Sequence, residues 1–235
     1  MNFSTNRDFT VLNLSMPMRI MRFYLVYRGP LPSTQRKRSG RREERIAIRK
    51  QIAPQMANLW ATNKNLISLQ WDAQVPGRDV HTWGIGYSPL HEHREAPPTP
   101  DRKMQNGFVD LSEPIVKHVK SFRPLVRRSL DLTCSLSVLF LRQGDPGLVI
   151  NQQGDIDNRV KTFIDALEMP QDELEGDESE GVNLPLLESD SLVRGLEIDT
   201  ERLLLPDSPF PNEVHLVVEV TVHVERVGPW NIMLL

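Results

Sequence analysis

The chain reads as an α+β protein with a mixed or antiparallel sheet flanked by helices, and three patterns lead to that reading. Residues 132–141 and 214–225 alternate apolar and polar side chains, the period of strands with one buried face. Val160, Phe163, Ile164 and Leu167 recur at i, i+3, i+4 and i+7, the period of a helix with one buried stripe. The segments follow one another as strand, helix, strand, helix, strand, strand, which supplies both a sheet and the layer that covers it.

Taken in order, residues 1–20 hold Arg7, Asp8 and Arg19 around a weakly apolar middle. They read as an extension, disordered or owed to an upstream start, and lack the pattern of a secretory signal. A single domain is expected over 21–235. Residues 22–27 are rich in aromatic and β-branched side chains and end at Gly29-Pro30-Leu31-Pro32, so they read as a strand stopped by a turn. Ile46, Ile48, Ile52, Met56, Leu59 and Trp60 lie among charges in a helix made irregular at Pro54. Signals weaken over 63–110, where Pro97, Pro98 and Pro100 mark a loop. The strand at 132–141 is closed by Gly144-Asp145-Pro146-Gly147.

A helix then begins near Gly154, with Asp155 just before its first turn. An acidic loop insertion follows at about 168–187; its centre has no apolar period and reads as solvated chain. Residues 191–200 form the next strand, with Asp190 at the loop-to-strand junction, a kind of place that often holds ligands. Pro206, Pro209 and Pro211 mark a loop before the last strand. There Val214, Leu216, Val218, Val220, Val222 and Val224 face the core.

A chain of 235 residues with 39% hydrophobic content is long enough for one well-cored domain. Its single cysteine, Cys134, excludes an intrachain disulfide and a cysteine-rich zinc module, and lies where it packs as an inert core residue. A reducing cytoplasm fits, and no run is long and apolar enough to span a bilayer. The formal net charge of −3 averages two opposite patches. Arg36, Lys37, Arg38, Arg41, Arg42, Arg45, Arg49 and Lys50 stand against Glu43 and Glu44, whereas residues 171–190 hold acids and neither Lys nor Arg.

The chemistry-bearing segment is Gly154-Asp155-Ile156-Asp157-Asn158-Arg159-Val160-Lys161 at the start of the helix. Asp157, Lys161 and Asp165 are successive i, i+4 neighbours and form a stripe beside the apolar face. Spacing alone allows a plain helix cap and an ion pair equally well. Asp-x-Asp-Asn-x-x-Lys opening a helix that runs on to Asp165-Ala166-Leu167, then Asp190-Ser191 and a strand, resembles the RusA-type Holliday junction resolvases. The resemblance covers roughly residues 132–224 and implies a RusA-like fold and a homodimer that nicks branched DNA. By that resemblance Asp155, Asp157 and Asp190 bind magnesium, or manganese in its place, Lys161 is the catalytic lysine, and Asn158, Asp165 and Glu188 support them. The family usually shows two adjacent acids before the late strand, whereas here Ser189 precedes Asp190.

These residue types suit phosphodiester cleavage. Magnesium prefers oxygen ligands, retains waters, and helps generate a nucleophile while stabilising charge on the phosphate. Two carboxylates about 4 Å apart repel by about 4 kcal/mol at an effective dielectric near 20, which favours a cation between them. Lys161 supplies a positive point charge for the phosphate. DNA affinity needs a separate basic surface, for which Arg36, Lys37, Arg38, Arg41, Arg42 and Arg45 lead, ahead of Arg123, Arg127 and Arg128 with Lys117 and Lys120. His91-Glu92-His93 reads as surface, and the tryptophans as packing residues. The alternatives are a noncatalytic DNA-binding or interaction protein of the same fold, and a metal nuclease acting on flap or single-stranded DNA.

Overall fold

A computed structural model describes residues 18–31, 38–71, 114–143, 153–170, 182–204, 213–227, 231 and 234, with backbone alone at 18, 38–41, 68–71, 153–155 and 157. The elements follow as β1 (Met18–Pro30), α1 (Arg38–Thr62), α2 (Lys64–Trp71), β2 (Ile115–Lys117) and β3 (Lys120–Phe122). Then come β4 (Leu132–Arg142), α3 (Gln153–Leu167), β5 (Val182–Asn183), β6 (Val193–Arg202) and β7 (Glu213–Val224). The fold is α+β. The larger sheet has the order β1-β7-β4-β6 and is mixed, with β7 antiparallel to both neighbours and β4 parallel to β6. Parallel neighbours require a crossover, and α3 provides it. A smaller sheet has the order β2-β3-β5.

Alternation fixes which face of the larger sheet is buried. Val214, Leu216, Val218, Val220, Val222 and Val224 are all buried, as the period of β7 dictates. The register carries that face across the sheet in rows: Leu25, Val218, Val138 and Ile198, then Tyr27, Leu216, Phe140 and Thr200. From the helices, Ile48, Ile52, Met56 and Trp60 of α1 join Val160, Phe163 and Leu167 of α3 in the same core. The rings of Tyr27 and Phe163 meet at 6.0 Å between centroids. Each such large side chain contributes about 1.5–3 kcal/mol by leaving water. On the other face, Tyr24 and Val26 are 55% and 50% exposed.

Polar contacts seat the helices. Gln55 accepts from Val26 N at 2.9 Å and donates to Val26 O at 2.7 Å, and Gln51 treats Arg28 in the same way at 3.1 and 2.8 Å. Two side-chain amides thus stand where a neighbouring strand would pair with the edge of β1. Arg159 donates to Leu31 O at 2.7 Å, and Asn63 caps α2 by accepting from Asn65 N and Leu66 N at 3.0 and 3.2 Å.

Several boundaries differ from the sequence reading. β1 begins at Met18, because pairing with β7 continues past a register shift between Arg19 and Met21 to Val224, so residues 18–20 belong to the domain. α3 begins at Gln153, placing Asp155 within its first turn. The strand expected from Ser191 is preceded by a 3-10 turn, Asp190–Leu192. α1 continues through the exposed Pro54. Both ends of the acidic insertion are ordered parts of the core: Met169 N donates to Leu187 O at 2.8 Å, and Leu187 N to Leu167 O at 3.0 Å. Strands β2, β3 and β5 escape periodicity, since two or three residues are too few to show a period.

Candidate functional site

The apolar stripe read from sequence seats α3. Val160, Phe163 and Leu167 are buried, and Ile164 packs against them. Asn158 and Lys161 on the outer side are exposed. Asp155 and Asp157 occupy positions in the first two turns, and their side chains lie outside the described residues. Acidic residue types are favoured at a helix start by the positive end of the helix dipole, in general by about 0.3–1 kcal/mol for an exposed carboxylate.

Asp165 has a different occupation. It is half-buried, with Arg45 Nη1 at 4.0 Å from its carboxylate. Arg49 donates through Nε to Ala166 O at 3.2 Å, and through Nη2 to Asp165 O at 3.2 Å and Glu168 O at 3.4 Å. It thereby satisfies carbonyls at the end of α3, where no intrahelical donor remains. The basic run therefore divides. Arg45 and Arg49 join α1 to α3, and Lys50 is exposed. Arg42 is half-buried; the side chains of Arg38 and Arg41, and the whole of Arg36 and Lys37, lie outside the described residues.

Asp190 is exposed and opens its 3-10 turn. Ser189 caps that turn, its Oγ accepting from Ser191 N at 3.3 Å and lying 2.9 Å from Ser191 Oγ. Arg128 Nη2 donates to the same Ser191 hydroxyl at 2.9 Å. Glu188 accepts from Arg128 N at 2.8 Å, which fastens the chain before β6 to the chain before β4. Ser189 and Glu188 thus do local structural work. The second basic cluster is largely structural as well: Arg127 is buried, Arg123 lies 5.8 Å over the Trp60 ring, and Arg128 holds Ser191.

Topology decides which of these residues can meet. β4 and β6 run parallel, so α3 runs back along the sheet between them. It starts beyond the carboxyl end of β4, and its end bonds to Leu187, just ahead of Asp190 and the amino end of β6. From Asp157 to Leu167 the helix rises about 15 Å at 1.5 Å per residue. Within one chain, Asp190 therefore stands at the opposite end of the crossover from Asp155 and Asp157. Among the described residues, no group of three or more His, Cys, Asp or Glu side chains is placed to hold a metal ion.

The remaining chemistry-bearing groups lie on the sheet. Cys134 is buried, and burial pushes its thiol up to about 12, as expected of an inert core residue. His223 Nε2 lies 3.2 Å from Ser135 Oγ, and Thr133 Oγ1 donates to Glu225 at 2.6 Å. Alternation alone places these side chains on one face, while their contacts depend on the pairing of β4 with β7. His91, Glu92 and His93 lie outside the described residues, and among the described residues no helix is long and apolar enough to cross a membrane. No family model, curated protein or solved structure matches the chain.

Proposed function

We propose that the chain is a RusA-like, magnesium-dependent endonuclease that cleaves branched DNA as a homodimer. The observation that carries the reading is the seat of Asp155-x-Asp157-Asn158-x-x-Lys161: it opens a crossover helix beyond the carboxyl end of a parallel strand, with Asn158 and Lys161 exposed. Open sheets bind ligands outside the carboxyl ends of their parallel strands, and a helix start favours phosphate. Two carboxylates and water oxygens form a donor set that magnesium accepts. The metal, when bound, supplies charge stabilisation at the scissile phosphate and an activated water.

In this reading Asp155 and Asp157 hold the cation, with manganese as a substitute. Lys161, one turn beyond Asp157, holds a phosphate oxygen, and Asn158 orients the DNA backbone. Arg36, Lys37, Arg38, Arg41 and Arg42 carry the duplex arms by neutralising phosphates. Arg45 is assigned to the helix interface. Asp190 enters a metal site only if a second copy brings it there, since its own chain holds it at the other end of α3.

Manganese titration followed by calorimetry tests the site apart from cleavage. The wild type binds the ion, Asp157→Asn loses at least tenfold in affinity, and Lys161→Ala keeps it; equal affinity in wild type and Asp157→Asn removes the site. The separation of Asp190 from the helix start favours one second reading, a DNA-binding protein of this fold that does not cut. Such a protein binds four-way junctions with the same affinity whether or not Asp157 is replaced, and leaves them intact.

A further inference from the structure

We infer that the face of the larger sheet turned away from α1 and α3 is a self-complementary interface for a second copy of this chain, with the two-fold axis parallel to the strands. The buried residues of α1 and α3 belong to the core on the other face. On this face Tyr24 and Val26 are at least half exposed, and Val26, Val217 and Leu139 form an apolar row across three strands. An apolar centre inside a polar rim is the common anatomy of a protein interface.

The rim carries charge of opposite sign at its two edges. β1 presents Arg19, Arg22 and Arg28 to this face, and β6 presents Glu197, Asp199 and Glu201, together with Arg194, which pairs with Glu225 at 3.0 Å. Arg22 lies 3.6 Å from Glu219, and Arg28 pairs with Glu213, both on neighbouring β7. The three acids of β6 have no ion pair among the described residues. A two-fold axis along the strands turns the sheet over and sets β1 of one copy on β6 of the other, so that arginines meet acids in two symmetric places. An axis across the strands sets β1 on β1 and β6 on β6, and like charges meet. The charge pattern selects the first arrangement.

The edges of the sheet serve this purpose poorly. Gln51 and Gln55 occupy the backbone groups of Val26 and Arg28 at the edge of β1. Antiparallel pairing of β6 with its own copy, centred on Ile198, opposes Glu197 to Asp199 and Arg194 to Arg202, like charges in both cases. The face is also large enough. Four strands about 4.8 Å apart, each with about ten residues of 3.3 Å, present roughly 600 Å² in projection. Stable interfaces bury about 800 Å² of accessible surface per partner, and a pleated face exposes more than its projection.

The inference gives the two-fold assembly a specific surface and is read without any cleavage assay. Sedimentation equilibrium of the full chain is expected to give twice the chain mass of 27.0 kDa. Val26→Asp, and separately the pair Glu197→Lys with Glu201→Lys, each raise the dissociation constant at least tenfold; melting curves verify that these exposed substitutions leave the fold intact. Arg19→Glu with Arg22→Glu does the same, and mixing that protein with the lysine variant restores the dimer, because each edge again meets the opposite sign. A wild type at 27.0 kDa up to about 100 µM overturns the inference. So does a dimer that neither Val26→Asp nor the lysine pair weakens.

Discussion

At the scale of single residues, strain, burial and charge each make a checkable statement. The turn between β2 and β3 puts His118 and Val119 at φ of 50° and 65°, in the left-handed region, and Val119 is 95% exposed. A β-branched residue there is strained, so Val119→Gly is expected to stabilise the fold by about 1 kcal/mol, read as a higher urea midpoint. Burial and Arg194 hold His223 below its ordinary value, with Arg19 adding to the effect and Glu225 opposing it. The folded protein thus takes up this proton less readily than the unfolded chain. The stability carried by the neutral ring is fully present above the unfolded value near 6.5 and is lost as pH falls through the lower folded value. Urea midpoints at pH 7.5 and pH 5 should fall less in His223→Gln than in wild type; an equal fall removes His223 from the acid response. Cys134, pushed up to about 12 by burial, is expected to resist alkylation at pH 8 until the chain unfolds.

At the scale of elements, side-chain bonds between helices decide what sequence patterns leave open. Arg49 bonds three carbonyls at the end of α3 from a neighbouring helix, so Arg49→Ala is expected to cost about 1.5–3 kcal/mol in urea unfolding, against little for exposed Lys50→Ala. Nothing in the order of residues assigns Arg49 to α3 and leaves Lys50 in water, because charge runs look alike until the partner helix is placed. Long periodic elements are legible in the sequence: β4, β7 and α3 follow directly from alternation and from the Val160 to Leu167 stripe. The small sheet is not, and neither is the turn at Asp190, where Ser189 serves as a cap. The helix-start pair and the later acid are legible as residue types. Their separation is not, because it follows from β4 and β6 being parallel, a property of long-range pairing.

At the scale of the whole molecule, a mixed sheet is covered on one face by helices, and the two proposals fall in separate places, the start of α3 and the other face of the sheet. The proposed cleavage belongs to the helix start, and the proposed assembly to the sheet face. Substituting Arg36, Lys37 and Arg38 together is expected to weaken DNA binding evenly across sequences and to flatten its salt dependence by about one unit of log-log slope for each phosphate no longer neutralised; an unchanged slope removes them from the DNA surface. Cleavage of a four-way DNA junction in magnesium, by wild type and by folded Asp157→Asn protein, addresses the central claim most directly. Paired nicks by the wild type and a fall of at least a hundredfold in rate for the variant are expected, with flap and linear duplex cut more slowly. Full cleavage by Asp157→Asn, or no cleavage by the wild type on any branched substrate, contradicts it.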